Sequence, residues 1–303
     1  MMSSVPVRAP WHQRIGTTVW AYVQLTKPRV IELLLVTTLP AMVLAEGKFP
    51  PLILVVQVLV GGALAAGGAN TMNCWIERDR DQVMRRTAHR PLATGAISPE
   101  GALVYGLVLE VLAFALLWST VNLLSAVLAV SAMLFYVFVY TIWLKPRSPQ
   151  NIVIGGAAGA VPVLVGWAAV TGELSAAAWV MFAIVFLWTP PHFWALAFRY
   201  REDYAAAGIP MLPVVREEKA VAREILAYSV VVVAVTFVLP LVSDVGAVYI
   251  GSAAVLGAFF VIQAAQLTRR LDPQVAMRFF TFSNTYLALL FAAIAVDTLV
   301  RAA

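Results

Sequence analysis

The sequence is short of charge. Only 12% of its 303 residues are Asp, Glu, Lys or Arg, while 61% are hydrophobic, and mean hydropathy is +0.85. A soluble domain carries about 25% charged residues, so too few polar groups are present to cover a water-facing surface. Cysteine is nearly absent: Cys74 stands alone, which excludes an internal disulfide and leaves packing as its default role. Histidine is almost as scarce, with only His12, His89 and His192. No apolar run precedes residue 30, so no cleavable signal peptide is expected.

What the chain has instead is long apolar sequence. Nine runs lie at about 30–46, 51–72, 100–119, 121–143, 151–171, 175–197, 223–242, 246–267 and 278–299. Most approach the roughly 20 residues that cross a bilayer. With no water to satisfy backbone groups, such runs must be helices, and their Leu, Ala, Val, Gly and Phe content lacks the alternation of barrel strands. The expected fold class is an all-α integral membrane protein with nine spans in the lipid bilayer, residues 30–299. A cytoplasmic N-terminal tail (1–29) and a short C-terminal tail (300–303) flank them.

The basic residues test this count. The N-terminal tail and the loops after the second, fourth, sixth and eighth runs hold every Lys and Arg except Lys48 and Arg301. Such segregation puts the first set in the cytoplasm. It predicts an inner-membrane protein with its N-terminus cytoplasmic and its C-terminus on the opposite side. The net charge of +5 then reflects topology and gives no reason to invoke nucleic acid.

Polar chemistry concentrates in two cytoplasmic stretches. The first, "NCWIERDRDQVMRRTAHRPLATG" at 73–95, places Asn73, Glu77 and Asp81 at i, i+4 and i+8. If the second helix continues past residue 72, these three share one face. Two carboxylates and an amide oxygen are hard donors that suit Mg²⁺, which commonly shares its shell with substrate phosphates. Arg78, Arg85, Arg86 and Arg90 follow within reach of phosphate oxygens. The plainer alternative is a solvated loop with an ion-pair ladder from Glu77 and Asp81 to Arg85.

The second stretch, "RYREDYAAAGIPMLPVVREEK" at 199–219, offers Asp203 as a further metal-facing acid, with Glu202 as its competitor. Arg199, Arg201 and Lys219 are placed to neutralise charge. A simple cytoplasmic hairpin is the alternative. Taken together, the two stretches point to a Mg²⁺–diphosphate cage above an apolar cavity. Charge building on a departing diphosphate would be stabilised there, and a lipid tail would lie in the dry space beneath.

These residues carry a resemblance. Asn73, Glu77 and Asp81, followed by Arg86-Thr87-Ala88-His89-Arg90-Pro91-Leu92, resemble the first signature of the UbiA-type intramembrane prenyltransferases, with Glu77 where Asp is usual. The run "WTPPHFWALAFRYREDYAAAGIPMLPVV" at 188–215 is similar to the protohaem IX farnesyltransferase branch of that superfamily. "LTKPRVIELLLVTTLPAM" at 25–42 extends the likeness. The resemblance implies a nine-helix UbiA bundle with a central cavity. It implies transfer of a farnesyl group from farnesyl diphosphate to the 2-vinyl group of haem B, with water added, to give haem O. It also implies Mg²⁺ as the metal and a haem A synthase downstream. Asn73, Glu77 and Asp81 correspond to the first metal–diphosphate motif and Asp203 to the second.

A haem substrate needs its own contacts. His192 follows Pro190-Pro191, where the helix is expected to kink or open. It is expected to contact haem, with axial ligation to the iron as one form of that contact. Trp188, Phe193 and Trp194 are expected to stack on the porphyrin. A packing histidine is the alternative. His12 and His89 read as solvated residues. Asn122, Asn151 and Asn284 read as caps or interhelical bonds, Glu110 as a weak interior candidate, and Glu32 as a local partner of Lys27 and Arg29. The glycine-rich 61–68 and 155–160 read as close helix packing. Two other functions fit less well: prenylation of an aromatic quinone precursor, and transport, which would require polar groups mid-membrane in several spans.

Overall fold

The computed structural model describes residues 11–303, with side chains from Thr17 onward apart from Leu33 and Leu34. Arg8 and the side chains of His12 and Arg14 lie outside the described residues. Among the described residues the chain forms helices and no strand. Nine helices among the described residues are long and apolar enough to cross a membrane, as the apolar runs predict.

Helix α1 (Trp11–Leu25) occupies much of the stretch expected as a tail. The spans are α2 (Pro28–Glu46), α3 (Leu52–Val83), α4 (Pro99–Thr120), α5 (Leu123–Leu134, continued by a π-helical segment Phe135–Leu144), α6 (Asn151–Thr171) and α7 (Ala176–Arg199). After the short α8 (Arg201–Ala206) and α9 (Leu212–Val215) come α10 (Glu218–Thr236), the single turn α11 (Leu239–Val242), α12 (Ala247–Arg269) and α13 (Pro273–Ala302).

Local chemistry marks the ends. Ser98 caps α4 by accepting from Gly101 N at 3.0 Å, with Pro99 at the first helical position. Asn122 caps α5 by accepting from Ser125 N at 2.8 Å. Its amide donates to Ala168 O at 2.7 Å, tying the start of α5 to the end of α6. Gly47 and Gly172 end α2 and α6 with φ near +70°, a left-handed conformation that glycine takes without a Cβ penalty. Pro190 and Pro191 do not end α7, which runs helical through both. The opening expected there is absent; what the prolines remove is two backbone donors.

Packing is close where small residues permit it. A Cβ on Gly155 would run into the Tyr140 ring, and one on Gly68 would meet Glu110 Oε1 at 2.7 Å. Gly159, by contrast, has open space beside it, because it borders a cavity. Helix α2 packs against α3, α6 and α13, and α7 packs against α6, α10 and α13. The outward faces stay apolar: Val104, Val108, Val111 and Trp118 on α4, and Val255 and Phe259 on α12, are exposed. Such a surface belongs against lipid rather than water.

Candidate active site

A cavity of about 540 Å³ opens at the end of the bundle where the long charged connections lie. Helix α3 carries the acid face into it by continuing eleven residues past Met72, to Val83. Asn73, Glu77 and Asp81 all line the cavity and are only 1%, 3% and 3% exposed.

Each of the three is held by a base. Lys27 Nζ donates to Asn73 Oδ1 at 2.7 Å, and Asn73 Nδ2 donates to Thr141 Oγ1 at 3.1 Å. Lys145 Nζ lies 2.5 Å from Glu77 Oε1. Arg90 Nη1 reaches both oxygens of Asp81, at 2.8 and 2.7 Å. The local ladder to Arg85 does not form. Long-range partners win because the chain turns out of helix at Met84 and carries Arg85 outward, where it is 79% exposed.

Lys27 is the one described residue other than glycine with positive φ, at 54°. A side chain there is strained, and the contacts that hold it are specific. Asn70 Nδ2 donates to Thr26 O at 3.0 Å while Lys27 itself reaches Asn73. Burial lowers the pKa of the Lys27 ammonium below the ordinary lysine range. Burial pulls the same way on Lys145, but Glu77 beside it outweighs burial and raises its pKa above that range.

The second connection meets the first. Asp203 is 6% exposed; it accepts from Arg85 Nε at 3.2 Å and from the Arg86 backbone N at 3.1 Å. Glu202 takes the outer side of Arg85 at 3.0 Å. Asp203 is absent from the cavity wall; Arg86 and Tyr204 stand there. The Arg86 guanidinium lies over Tyr200 and Tyr204, 5.8 and 5.9 Å from the ring centroids. Its Nε has no partner in the protein. Asp203 therefore fixes the backbone of an arginine whose side chain faces the cavity.

Of the seven basic residues expected around a diphosphate, Arg86 and Arg90 line the cavity. Arg78 turns to the Trp75 carbonyl and ring. Arg85 holds Asp203 and Glu202, Arg201 pairs with Glu218 at 3.5 Å, and Arg199 and Lys219 are exposed. Four others take their place: Lys27, Arg29, Arg80 and Lys145. Two signals could have found them. Arg80 is three residues from Glu77 and seven from Asn73, on the acid face, whereas Arg78 is turned about 100° from Glu77. Lys27 and Lys145 each begin a Lys-Pro-Arg triplet at a helix end. The wall thus carries six basic side chains against two carboxylates, an imbalance that attracts a polyanion.

The rest of the cavity is aromatic and apolar. His192, Trp188 and Phe193 line it. The His192 ring is sandwiched between Trp188 and Phe280, with centroids 4.2 and 4.4 Å away. Trp194 does not line it. It sits edge-on to Tyr228 on α10, since two residues beyond His192 is the opposite side of a helix. A second, apolar pocket of about 160 Å³ shares Val30, Asn70, Tyr136 and Gly159 with the first and extends along Val58, Met133 and Val165.

The remaining sequence candidates fall elsewhere. His89 and Glu32 are exposed. Glu110 is buried against Gly68 with neither oxygen paired, and lines neither pocket. Asn151 donates to Ser148 O, and Asn284 lines the main cavity.

Among the described residues, no three of His, Cys, Asp and Glu converge as a metal cluster. The acid face offers two carboxylates and an amide oxygen. That set fits a hard divalent ion which completes its shell with phosphate and water, and the bases now on it are placed to receive the phosphate.

A model of the UbiA prenyltransferase family matches residues 34–291. A protohaem IX farnesyltransferase of Mycobacterium sp. (strain KMS) is 54% identical over 289 residues, 94% of this chain and 92% of that protein. Among solved structures, a digeranylgeranylglyceryl phosphate synthase superposes with a TM-score of 0.76 at 17% identity, covering 93% of this chain and 99% of that one. A UbiA homologue from Archaeoglobus fulgidus bound to GPP and Mg²⁺ gives 0.64 at 19%, covering 90% and 99%.

Proposed function

The chain belongs to the UbiA prenyltransferase family, and from that premise we propose that it farnesylates protohaem IX. It transfers the farnesyl group of farnesyl diphosphate to the 2-vinyl group of haem B, adds water, and releases haem O and diphosphate. The observation that carries this reading is a cavity with two unlike walls, an acid face ringed by bases and an aromatic wall around His192, beside an apolar pocket that shares Val30, Asn70, Tyr136 and Gly159 with it.

The diphosphate takes the basic end. Arg86, Arg29, Arg80, Arg90, Lys27 and Lys145 bind its oxygens and orient the carbon–oxygen bond. Asn73, Glu77 and Asp81 would hold Mg²⁺, which when bound stabilises charge on the departing diphosphate. Asp203 acts through the Arg86 backbone it holds. The extra methylene of Glu77 spans to Lys145. The farnesyl tail lies along Val58, Met133 and Val165, where exclusion of water protects a carbocation. Haem contacts Trp188, His192 and Phe193; Trp194, packed on Tyr228, supports that wall from behind. The segregation of basic loops supports a cavity mouth at the cytoplasmic face of the inner membrane. From there the hydroxylated haem passes to a haem A synthase.

The test is incubation of purified protein with farnesyl diphosphate, Mg²⁺ and either haem or 4-hydroxybenzoate. A haem product heavier by one farnesol is expected. Prenylation of 4-hydroxybenzoate alone, or of neither acceptor, would overturn the reading.

A further inference from the structure

Haem farnesylation with hydration leaves one proton over. Diphosphate departs with the electron pair of the C1–oxygen bond. The vinyl π pair then forms the new carbon–carbon bond to C1, leaving a cation on the vinyl carbon attached to the porphyrin. A lone pair of water closes that cation, and the added water must shed a proton. Nothing is oxidised or reduced, so the step needs only a base.

The cavity holds few groups able to accept that proton. Glu77 is engaged by Lys145 and Asp81 by Arg90, at the diphosphate end. Tyr136, Tyr140 and Tyr204 offer phenol hydroxyls, weaker proton acceptors than an imidazole nitrogen. His192 remains, and its neighbours select a tautomer of the neutral ring. Ser283 Oγ donates to Phe280 O at 2.6 Å and stands 2.7 Å from His192 Nδ1. A hydroxyl has one proton. With it spent on the backbone, Ser283 is left to accept from Nδ1–H, and in the neutral imidazole that puts the lone pair on Nε2. No described residue hydrogen-bonds Nε2, and it is not among the sealed, unpartnered atoms, so it faces the cavity its ring lines.

The surroundings fix the ring. Trp188 Nε1 donates to Ser283 O at 2.9 Å, so one residue of α13 anchors both the imidazole and the indole beside it. The imidazole is stacked between two aromatic faces, 4.2 and 4.4 Å from their centroids, which hold its plane and leave its edge to the cavity.

We propose that His192 Nε2, held as the acceptor by Ser283, is the catalytic base that takes the proton of the water added to the vinyl-derived cation. This rests on the haem-farnesylation reading. It also assigns Nε2 to water rather than to the haem iron.

The experiment reads the product ratio rather than the rate, using full-length protein in detergent with farnesyl diphosphate, Mg²⁺ and haem. Without the base, the cation loses a carbon-bound proton and ends as an alkene, one water lighter than the hydroxylated product. His192→Gln is expected to lower the hydroxylated-to-alkene ratio by about 10²-fold. Ser283→Ala, which keeps the imidazole but frees its tautomer, is expected to move the ratio the same way by less. An unchanged ratio in His192→Gln overturns the proposal. If that variant yields no product, an unchanged ratio in Ser283→Ala overturns it. A histidine-ligated haem spectrum in the parent that His192→Gln abolishes also overturns it, because Nε2 would then belong to iron. Failure of the parent to farnesylate haem would instead sink the underlying reading.

Discussion

The two long charged connections are alike in composition and different in use. The end of α3 and the stretch after it turn most of their charge inward: Asp81 is buried, and Arg86 and Arg90 line the cavity. The stretch after α7 turns its charge outward. Arg201 pairs with Glu218 near the surface and Glu202 with Arg85 at the rim, while the cavity receives Tyr204 and Ile209. Asp203 joins the two. Equal densities of acid and base thus say little about function. What separates the loops is whether a charge has left water, since a buried charge must be compensated and an exposed one need not be.

Breaking the inward loop should cost most. Asp81→Asn removes a carboxylate from the acid face and leaves Arg90 without its bidentate partner. Farnesyl transfer is expected to fall by about 10³-fold. Diphosphate release per unit of folded, monodisperse protein is the measurement, because losing one member of a buried pair also costs about 3–5 kcal/mol of stability. A variant retaining more than a tenth of parent activity would put Asp81 on the same footing as the outward loop.

Asp203→Asn tests the joint. The amide can still accept from the Arg86 backbone but no longer offers charge to Arg85. A loss of about tenfold is expected, mostly as a higher KM for farnesyl diphosphate with kcat less affected, because a weaker hold on Arg85 loosens the turn that carries Arg86 without removing that arginine. A fall as deep as that of Asp81→Asn, carried by kcat, would instead make Asp203 a direct metal ligand and erase the distinction between holding Arg86 and touching substrate.

Gly155→Ala probes the packing behind the acid face. The added methyl would press on the Tyr140 ring, which stacks on Tyr136 with centroids 5.3 Å apart. Overpacking of this kind costs about 1–3 kcal/mol, read as a lower Tm. The same change at Gly159, which has nothing within 4 Å, should leave Tm alone.

Much of this was legible before any coordinates, and the reasons are physical. The nine spans could be read because a bilayer allows no partly satisfied backbone, so length and hydropathy alone decide. The acid face could be read because i, i+4 and i+8 share a face wherever a helix persists. That periodicity also selects Arg80 over Arg78 and turns Trp194 from the side shared by Trp188 and His192. The pairing of charges could not be read. Glu77 meets Lys145, sixty-eight residues away, and Asn73 meets Lys27 through a left-handed backbone. These depend on how α2 and α5 pack beside α3, and local spacing carries no trace of that. Ser283 was invisible for the same reason: a serine in a long apolar helix gains its role only from the histidine opposite.

The smallest effect is expected where the sequence looks most charged. Arg201→Ala removes a pair whose side chains are 45% and 46% exposed, and Lys219→Ala removes an exposed side chain. Exposed pairs contribute about 0–1 kcal/mol and are screened by salt. The double variant should therefore keep KM for farnesyl diphosphate and kcat within about twofold of the parent at physiological ionic strength. At low salt a modest rise in KM is expected from weaker attraction of the polyanion, and it should vanish as salt is added. A salt-independent loss would mean that these residues reach the diphosphate directly, and that the outward loop folds over the cavity when substrate is present.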